Sequence, residues 1–315
     1  MHFQYNVITL EIVHIQLYNF CMKAYLSYFS AAAYWNIPYL ETVLGYKIDE
    51  TSMVNFTALE GNKRSIRKDK TIHFSELDLP DKAVVTRDDI MVASPELVFL
   101  QLASRLDIHR LILLGLQLCS HPPGKPSEAI TSKVKLKQFL AKTQGHRGYR
   151  KALRAVRFIQ DGSASVMESI TYMILTLSHA LGGFGLSGAV FNHEITLKDE
   201  VSKRLGQRRC FVDLYYKTAK LAIEYDSFAF HSTPAEQGKD AIRSTILRRQ
   251  SIEVMQISTI QLYNKDVFKD FAFNLASRLG KRMQIRAKNF EQMHTLLRTL
   301  LPVGKAAYEL VNDEL

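Results

Sequence analysis

Two short apolar segments of this chain carry carboxylates where a core strand would have none. They lie in CFVDLYYKTAKLAIEYDSFAFH, which runs from Cys210 to His231. Asp213 interrupts Phe211-Val212-Leu214-Tyr215-Tyr216, and Glu224 and Asp226 interrupt Leu221-Ala222-Ile223-Tyr225. Strand side chains alternate faces, so Glu224 and Asp226 share one side, and Leu221, Ile223 and Tyr225 share the other. The polar turn between the segments predicts a hairpin in which Asp213 lies beside Glu224. Clustered carboxylates repel one another and lose hydration unless something positive sits between them. A hard divalent cation such as Mg²⁺ meets that need. The competing reading is the solvent face of a half-exposed sheet. Against it stand the apolar residues that flank the acids on both faces.

The surroundings extend the pattern. Ser163–Ala180 has apolar Val166, Ile170, Met173, Ile174 and Leu177 at helical spacing, with Glu168 near the helix start. Glu168 is also the kind of acid that a helix dipole favours in a first turn. Gly182-Gly183-Phe184-Gly185 reads as the end of that helix and a turn. No Lys-Ser/Thr follows it, so it is no phosphate loop of the P-loop type. Downstream come His231, a helical stretch with Lys239, Asp240 and Arg243, and a last apolar strand, Ile252–Ile257. The predicted fold is α/β (α+β): a mixed central sheet flanked by helices, with a smaller N-terminal domain.

This order of Glu168 on a helix, Asp213 on a strand, Glu224-Tyr225-Asp226 on the next and then His231 resembles the PD-(D/E)XK nuclease superfamily. It is most similar to the branch related to very-short-patch-repair endonucleases, whose members carry an E-x-D-G-x-x-H signature. The resemblance covers roughly residues 133–286 and includes Leu136–Arg154 upstream and Asp240-x-x-Arg243 downstream. It implies a restriction-endonuclease-like core and Mg²⁺-dependent cleavage of nucleic acid, DNA ahead of RNA. In that scheme Asp213 and Glu224 hold the metal, and Glu168 completes the shell or orients water. Asp226 is a further ligand or acceptor, and His231 supplies a proton to the leaving oxygen. Lys239 and Arg243, one helical turn apart, hold phosphates. Three positions depart from the pattern. Asp226 stands where the superfamily has lysine, Ser227 where it has glycine, and Gln250-Ser251 where a glycine precedes the last strand. These departures favour an alternative reading, a non-catalytic nucleic-acid-binding regulator or antitoxin-like factor with a degenerate nuclease fold.

The net charge of +10 is concentrated. From Ala129 to Gln160 there are Lys133, Lys135, Lys137, Lys142, Arg147, Arg150, Lys151, Arg154 and Arg157, and no acid. Cations in such a run neutralise phosphates without reading sequence. Lys151 and Arg154 are therefore candidate nucleic-acid contacts. A solvated basic linker is the competing reading.

His121-Pro122-Pro123-Gly124-Lys125-Pro126 cannot continue a helix and marks a boundary. The expected organisation is an N-terminal α+β domain over 1–120 and a basic helical linker over 121–160. The nuclease-like core follows over 161–290, with a C-terminal helical tail over 291–315. In the first domain, residues 1–45 have a helical, aromatic-rich pattern. Short strands are expected at Val54–Thr57, Thr71–Phe74 and Ala83–Thr86. Ser94-Pro95-Glu96 is a helix start with serine at the N-cap and proline at the first helical position. The segment Val92–Leu97 is similar to a strand-to-helix junction in AbiEi-type antitoxin-like regulators. The cysteines, Cys21, Cys119 and Cys210, are scattered and offer no zinc-binding spacing. A reducing cytoplasm is the expected compartment. No run is long and uncharged enough to predict a membrane helix.

Overall fold

A computed structural model describes residues 24–45, 54–59, 65–66, 70–74, 77–196, 209–226 and 244–302. The chain divides into two compact units. The first comprises residues 1–119 and 130–159, the second 120–129 and 160–315. The basic stretch read as a linker is therefore split. Its residues 130–159 fold with the first unit, and 120–129 with the second. Both units are mixed α+β, each built on a sheet with parallel and antiparallel pairs.

The first unit holds a six-stranded sheet in the order β3-β4-β2-β1-β6-β5. Its strands are β1 (Ala24–Leu26), β2 (Val54–Ala58), β3 (Ser65–Ile66), β4 (Lys70–Phe74), β5 (Val84–Arg87) and β6 (Ile90–Ala93). Residues 24–26, expected to be helical, are instead a fully buried central strand between β2 and β6. A run of three apolar residues has no helical period to hold it, and neighbours on both sides fix it as a strand. Helix α1 (Tyr28–Tyr34) and helix α2 (Leu40–Leu44) follow it. Asp88 and Asp89, both at positive φ, join β5 to β6 in a two-residue turn, the geometry that matches strand twist.

Helix α3 (Pro95–Ala103) starts where the sequence predicts. Ser94 Oγ accepts the Leu97 N–H, and Pro95 occupies the first turn. Helix α4 (Ile108–Leu118) is capped in the same way by Asp107. Arg110 of α4 donates to the carbonyls of Thr42 and Val43 at the end of α2. That satisfies acceptors that a helix end leaves open. The basic stretch forms α5 (Lys133–Leu140) and α6 (Tyr149–Ala155), both packed on α3.

The second unit contains a four-stranded sheet in the order β10-β9-β8-β7. Here β7 is Ala189–Thr196, β8 is Arg209–Tyr216, β9 is Leu221–Asp226 and β10 is Glu253–Ser258. The expected hairpin forms: β8 and β9 are antiparallel and joined through residues 217–220. β7 also pairs antiparallel with β8, whereas β10 runs parallel to β9. Residues 244–249 form the helix between β9 and β10. Helix α7 (Val166–Thr176) packs against β8. Beyond the sheet come α8 (Thr259–Tyr263), α9 (Lys265–Arg278) and α10 (Phe290–Arg298). Among the described residues no helix is long and apolar enough to cross a membrane.

The glycine loop after α7 has a packing role. The N–H groups of Phe184 and Leu186 bond to the carbonyls of Ile174 and Leu175, folding the loop back along the helix. Gly182 has φ +77° and lies against α10, where a Cβ would come within 2.4 Å of Met293 and His294 backbone. Its carbonyl accepts from His294 Nδ1 at 2.7 Å. Gly182→Ala should therefore destabilise the protein by roughly 2 kcal/mol or more, since neither the left-handed backbone nor the close approach tolerates a side chain. Urea unfolding followed through the second unit checks this. An unchanged midpoint would show that α10 moves aside freely.

Candidate functional site

The carboxylates at the start of α7 and in the middle of β8 come together through a local defect in the sheet. β7 and β8 keep one register from Ala189↔Tyr216 to Thr196↔Arg209, but the Asn192–Asp213 pair is missing from the ladder. Asn192 has φ +41°, a left-handed conformation that asparagine tolerates better than most residues. Face alternation slips at this point. Cys210 and Val212 share one apolar cluster with Tyr215, and Val190 packs on the same cluster as Ile195. Strict alternation would put each of these pairs on opposite faces. The slip brings Asn192 and Asp213 to the first turn of α7.

Glu168 is held in that turn by neutral donors. Ser165, the N-cap residue, accepts the Glu168 N–H. The Glu168 carboxylate reaches back, and its Oε2 accepts the Ala164 N–H at 3.1 Å and the Asn192 amide at 2.9 Å. The same amide donates to Gly162 O at 2.8 Å. The Ser165-x-x-Glu168 spacing is that of a capping box, though the side chain closes on the residue before the cap. So Glu168 has the plain structural role of a first-turn acid. It is also 8% exposed, which an ordinary surface cap is not. Burial first, and the neighbouring charge of Asp213 second, push its carboxyl up to about 7. The bonds from Ala164, Asn192 and Ser165 pull in the other direction.

Asp213 sits where β8 and β9 part. Their ladder ends at Leu214↔Ile223, one pair short of Asp213 and Glu224. Asp213 Oδ2 accepts the Tyr225 N–H at 2.8 Å, replacing a backbone acceptor with a carboxylate. Glu224 is half-buried on β9 opposite Gln256 of β10, and Asp226 is exposed at the strand end opposite Ser258. The structure thus joins Glu168 to Asp213 and places Glu224 on the adjacent strand. Among the described residues no group of three His, Cys, Asp or Glu side chains is arranged to hold a metal ion. His231, Lys239 and Arg243 lie outside the described residues.

Asn192 is the site residue that the sequence reading missed. Its only signal is a polar residue directly after Ala189-Val190-Phe191, where an apolar side chain would continue the strand. Of the proposed nucleic-acid contacts, Arg154 is exposed on α6. Lys151 is half-buried and donates to Leu106 O at 2.7 Å, an anchor between α6 and the chain after α3. Lys135, Lys137, Lys142, Arg147, Arg150 and Arg157 are exposed alongside Arg154.

The raised carboxyl of Glu168 makes stability depend on pH. A carboxylic acid that titrates near 4.5 when unfolded and near 7 when folded favours the native state in its neutral form. That contribution is complete below pH 4.5 and is lost as pH rises through 7. Glu168→Gln, neutral at every pH, should match the wild type at low pH and exceed it by roughly 1–3 kcal/mol above neutrality. Thermal melts of both proteins across this range, in a chelator, measure the difference. A gap that does not grow with pH contradicts the assignment.

No protein-family model, curated protein or solved structure matches this chain.

Proposed function

We propose that the second unit is a metal-dependent phosphodiester hydrolase of the PD-(D/E)XK type, acting on nucleic acid. The observation that carries this is the Glu168–Asp213 pair. It is a buried carboxylate beside a second one, brought together by a break in the sheet ladder and held by neutral donors at Glu168. The order of α7, three antiparallel strands, a helix and a parallel fourth strand supports the reading, because the sequence resemblance implies that core.

The side chains fit Mg²⁺. That ion prefers oxygen donors and commonly takes only one or two carboxylates, filling its shell with water and substrate phosphate. Asp213 and Glu168 would be the donors, and Glu224, on the next strand, forms no three-carboxylate group with them among the described residues. A cation here would offset the burial cost and the Asp213 charge that together raise the Glu168 carboxyl. When bound, Mg²⁺ polarises the phosphate and lowers the pKa of the attacking water. Asn192 holds Glu168 in place, and the Tyr225 N–H holds Asp213. Water attacks phosphorus, the bond to the leaving oxygen breaks, and that oxygen takes a proton. His231 is the proton donor in this scheme. The exposed cations of α5 and α6 in the first unit supply non-specific phosphate contacts.

One observation favours the non-catalytic regulator instead. Asp226, at the position of the superfamily's lysine, is exposed at the end of β9. A cleavage assay on single- and double-stranded DNA and RNA with Mg²⁺ or Mn²⁺ decides between the two. The hydrolase reading predicts metal-dependent cleavage by the wild type, reduced at least about a hundredfold by Asp213→Asn or Glu224→Gln. Wild-type protein that binds nucleic acid but never cuts it would establish the regulator.

A further inference from the structure

A second acid-free basic stretch lies in the second unit. Between Asp270 and Glu291 the sequence has Arg278, Lys281, Arg282, Arg286 and Lys288 and no carboxylate. Arg278 is committed to an ion pair with Glu253. The others lie on or after the end of α9, where the chain runs without regular structure to α10. There Lys281, Arg282, Met283, Gln284 and Arg286 line one wall of a cleft of about 390 Å³. His179, Phe184, Gly185 and Leu186 from the loop after α7 line the other. No acid is among the described residues that line this cleft.

Both walls are fixed in place. Lys281 Nζ donates to Ser187 O at 2.9 Å, pinning the basic segment across the loop. The Lys281 N–H bonds to Ala276 O and closes the end of α9. On the loop side, Gly182 is seated against α10, and buried Phe184 packs among Phe268, Phe290 and His294. Arg282 and Arg286 are exposed, and neither pairs with a described carboxylate. Both side chains are open to solvent, and Arg286 also donates to Gln284 Oε1. Arginine offers a planar fork of donors that suits phosphate oxygens.

We infer that this cleft is a phosphate-binding subsite that holds the backbone of a nucleic-acid strand, with Arg282 and Arg286 as its phosphate contacts. Lys281 organises the wall and adds charge. The cleft lies by the C-terminal turn of α7, at the opposite end of that helix from Glu168. From Glu168 to Thr176 that helix rises by about 12 Å. A strand held in the cleft is thus anchored to one side of the carboxylate pair rather than on it. The half-buried Met283 offers sugar or base an apolar contact without selecting a sequence. The inference rests on the nucleic-acid reading above, but strand binding itself requires neither metal nor cleavage.

The test is fluorescence anisotropy of the full chain with a labelled single strand of about 20 nucleotides, in EDTA and over a range of NaCl. The comparison is Arg282→Ala/Arg286→Ala, whose exposed positions leave the fold intact, as a thermal melt verifies. The expected result is at least about a tenfold loss of affinity at moderate salt. The slope of log K against log salt should be shallower by about 1.4, from two lost contacts at about 0.7 each. Unchanged affinity and slope would overturn the inference. A parallel titration with inorganic phosphate separates the sources of the anion. If the double variant loses phosphate binding but holds the strand as tightly as the wild type, the cleft takes free phosphate and the strand assignment is overturned. A wild type that never cleaves, yet loses strand affinity on this double substitution, keeps the inference while overturning the hydrolase reading.

Discussion

The burial of the Glu168 carboxyl, with Asp213 close enough to add its charge, is the constraint around which this part of the second unit is arranged. A regular β7–β8–β9 sheet would keep Asp213 in ladder with Asn192 on one side and Glu224 on the other. Instead the ladder lapses at both pairs. Asn192 adopts a left-handed backbone, and face alternation slips around it. The result is a carboxylate set beside a buried acid whose own bonds come from a backbone N–H and a side-chain amide. Interrupted ladders and left-handed non-glycine residues both cost free energy. A fold under no demand for charge at this place could replace Asp213 by an apolar residue and gain stability.

The rest of the unit holds this pair steady. Helix α7 is fixed at its start by the Ser165 and Glu168 caps. At its far end the glycine loop bonds back to its last turn, and Gly182 is seated against α10. Tyr216 donates to Leu186 O, tying the end of β8 to the same loop. Glu168 thus approaches the sheet from a helix anchored at both ends, which suits a group that must hold its geometry. The Ala164 N–H and the Asn192 amide that hold its carboxylate are neutral donors.

Much of this architecture was legible in the sequence, because local chemistry there agrees with the fold. The hairpin of β8 and β9, the capped start at Ser94-Pro95 and the helix carrying Glu168 all follow from periodicity and capping residues. Strand β1 was not legible, since three apolar residues among aromatics carry no period and only their neighbours make them a strand. The basic run was visible as charge and as helix, but its packing into the first unit was not. Leu136, Leu140, Ala152 and Ala155 bury one face of α5 and α6, and they are too few to stand out among so many lysines and arginines. At the site, Asp213 and Glu168 were readable as acids in apolar surroundings. Asn192 was not, because its importance comes from a backbone angle and a cross-strand partner rather than from its own position in the chain.

The central claim is that the carboxylate pair exists to receive a divalent cation. Calorimetric titration of Mg²⁺ or Mn²⁺ into the full chain, without nucleic acid, tests it most directly. Asp213→Asn and Glu168→Gln serve as site variants, and Glu194→Gln, an exposed acid of β7 paired with Arg209, as a control. The account predicts a saturable site in the wild type and the control that weakens at least about tenfold in each site variant. Equal binding by all four proteins, or no binding by the wild type at millimolar metal, would contradict it.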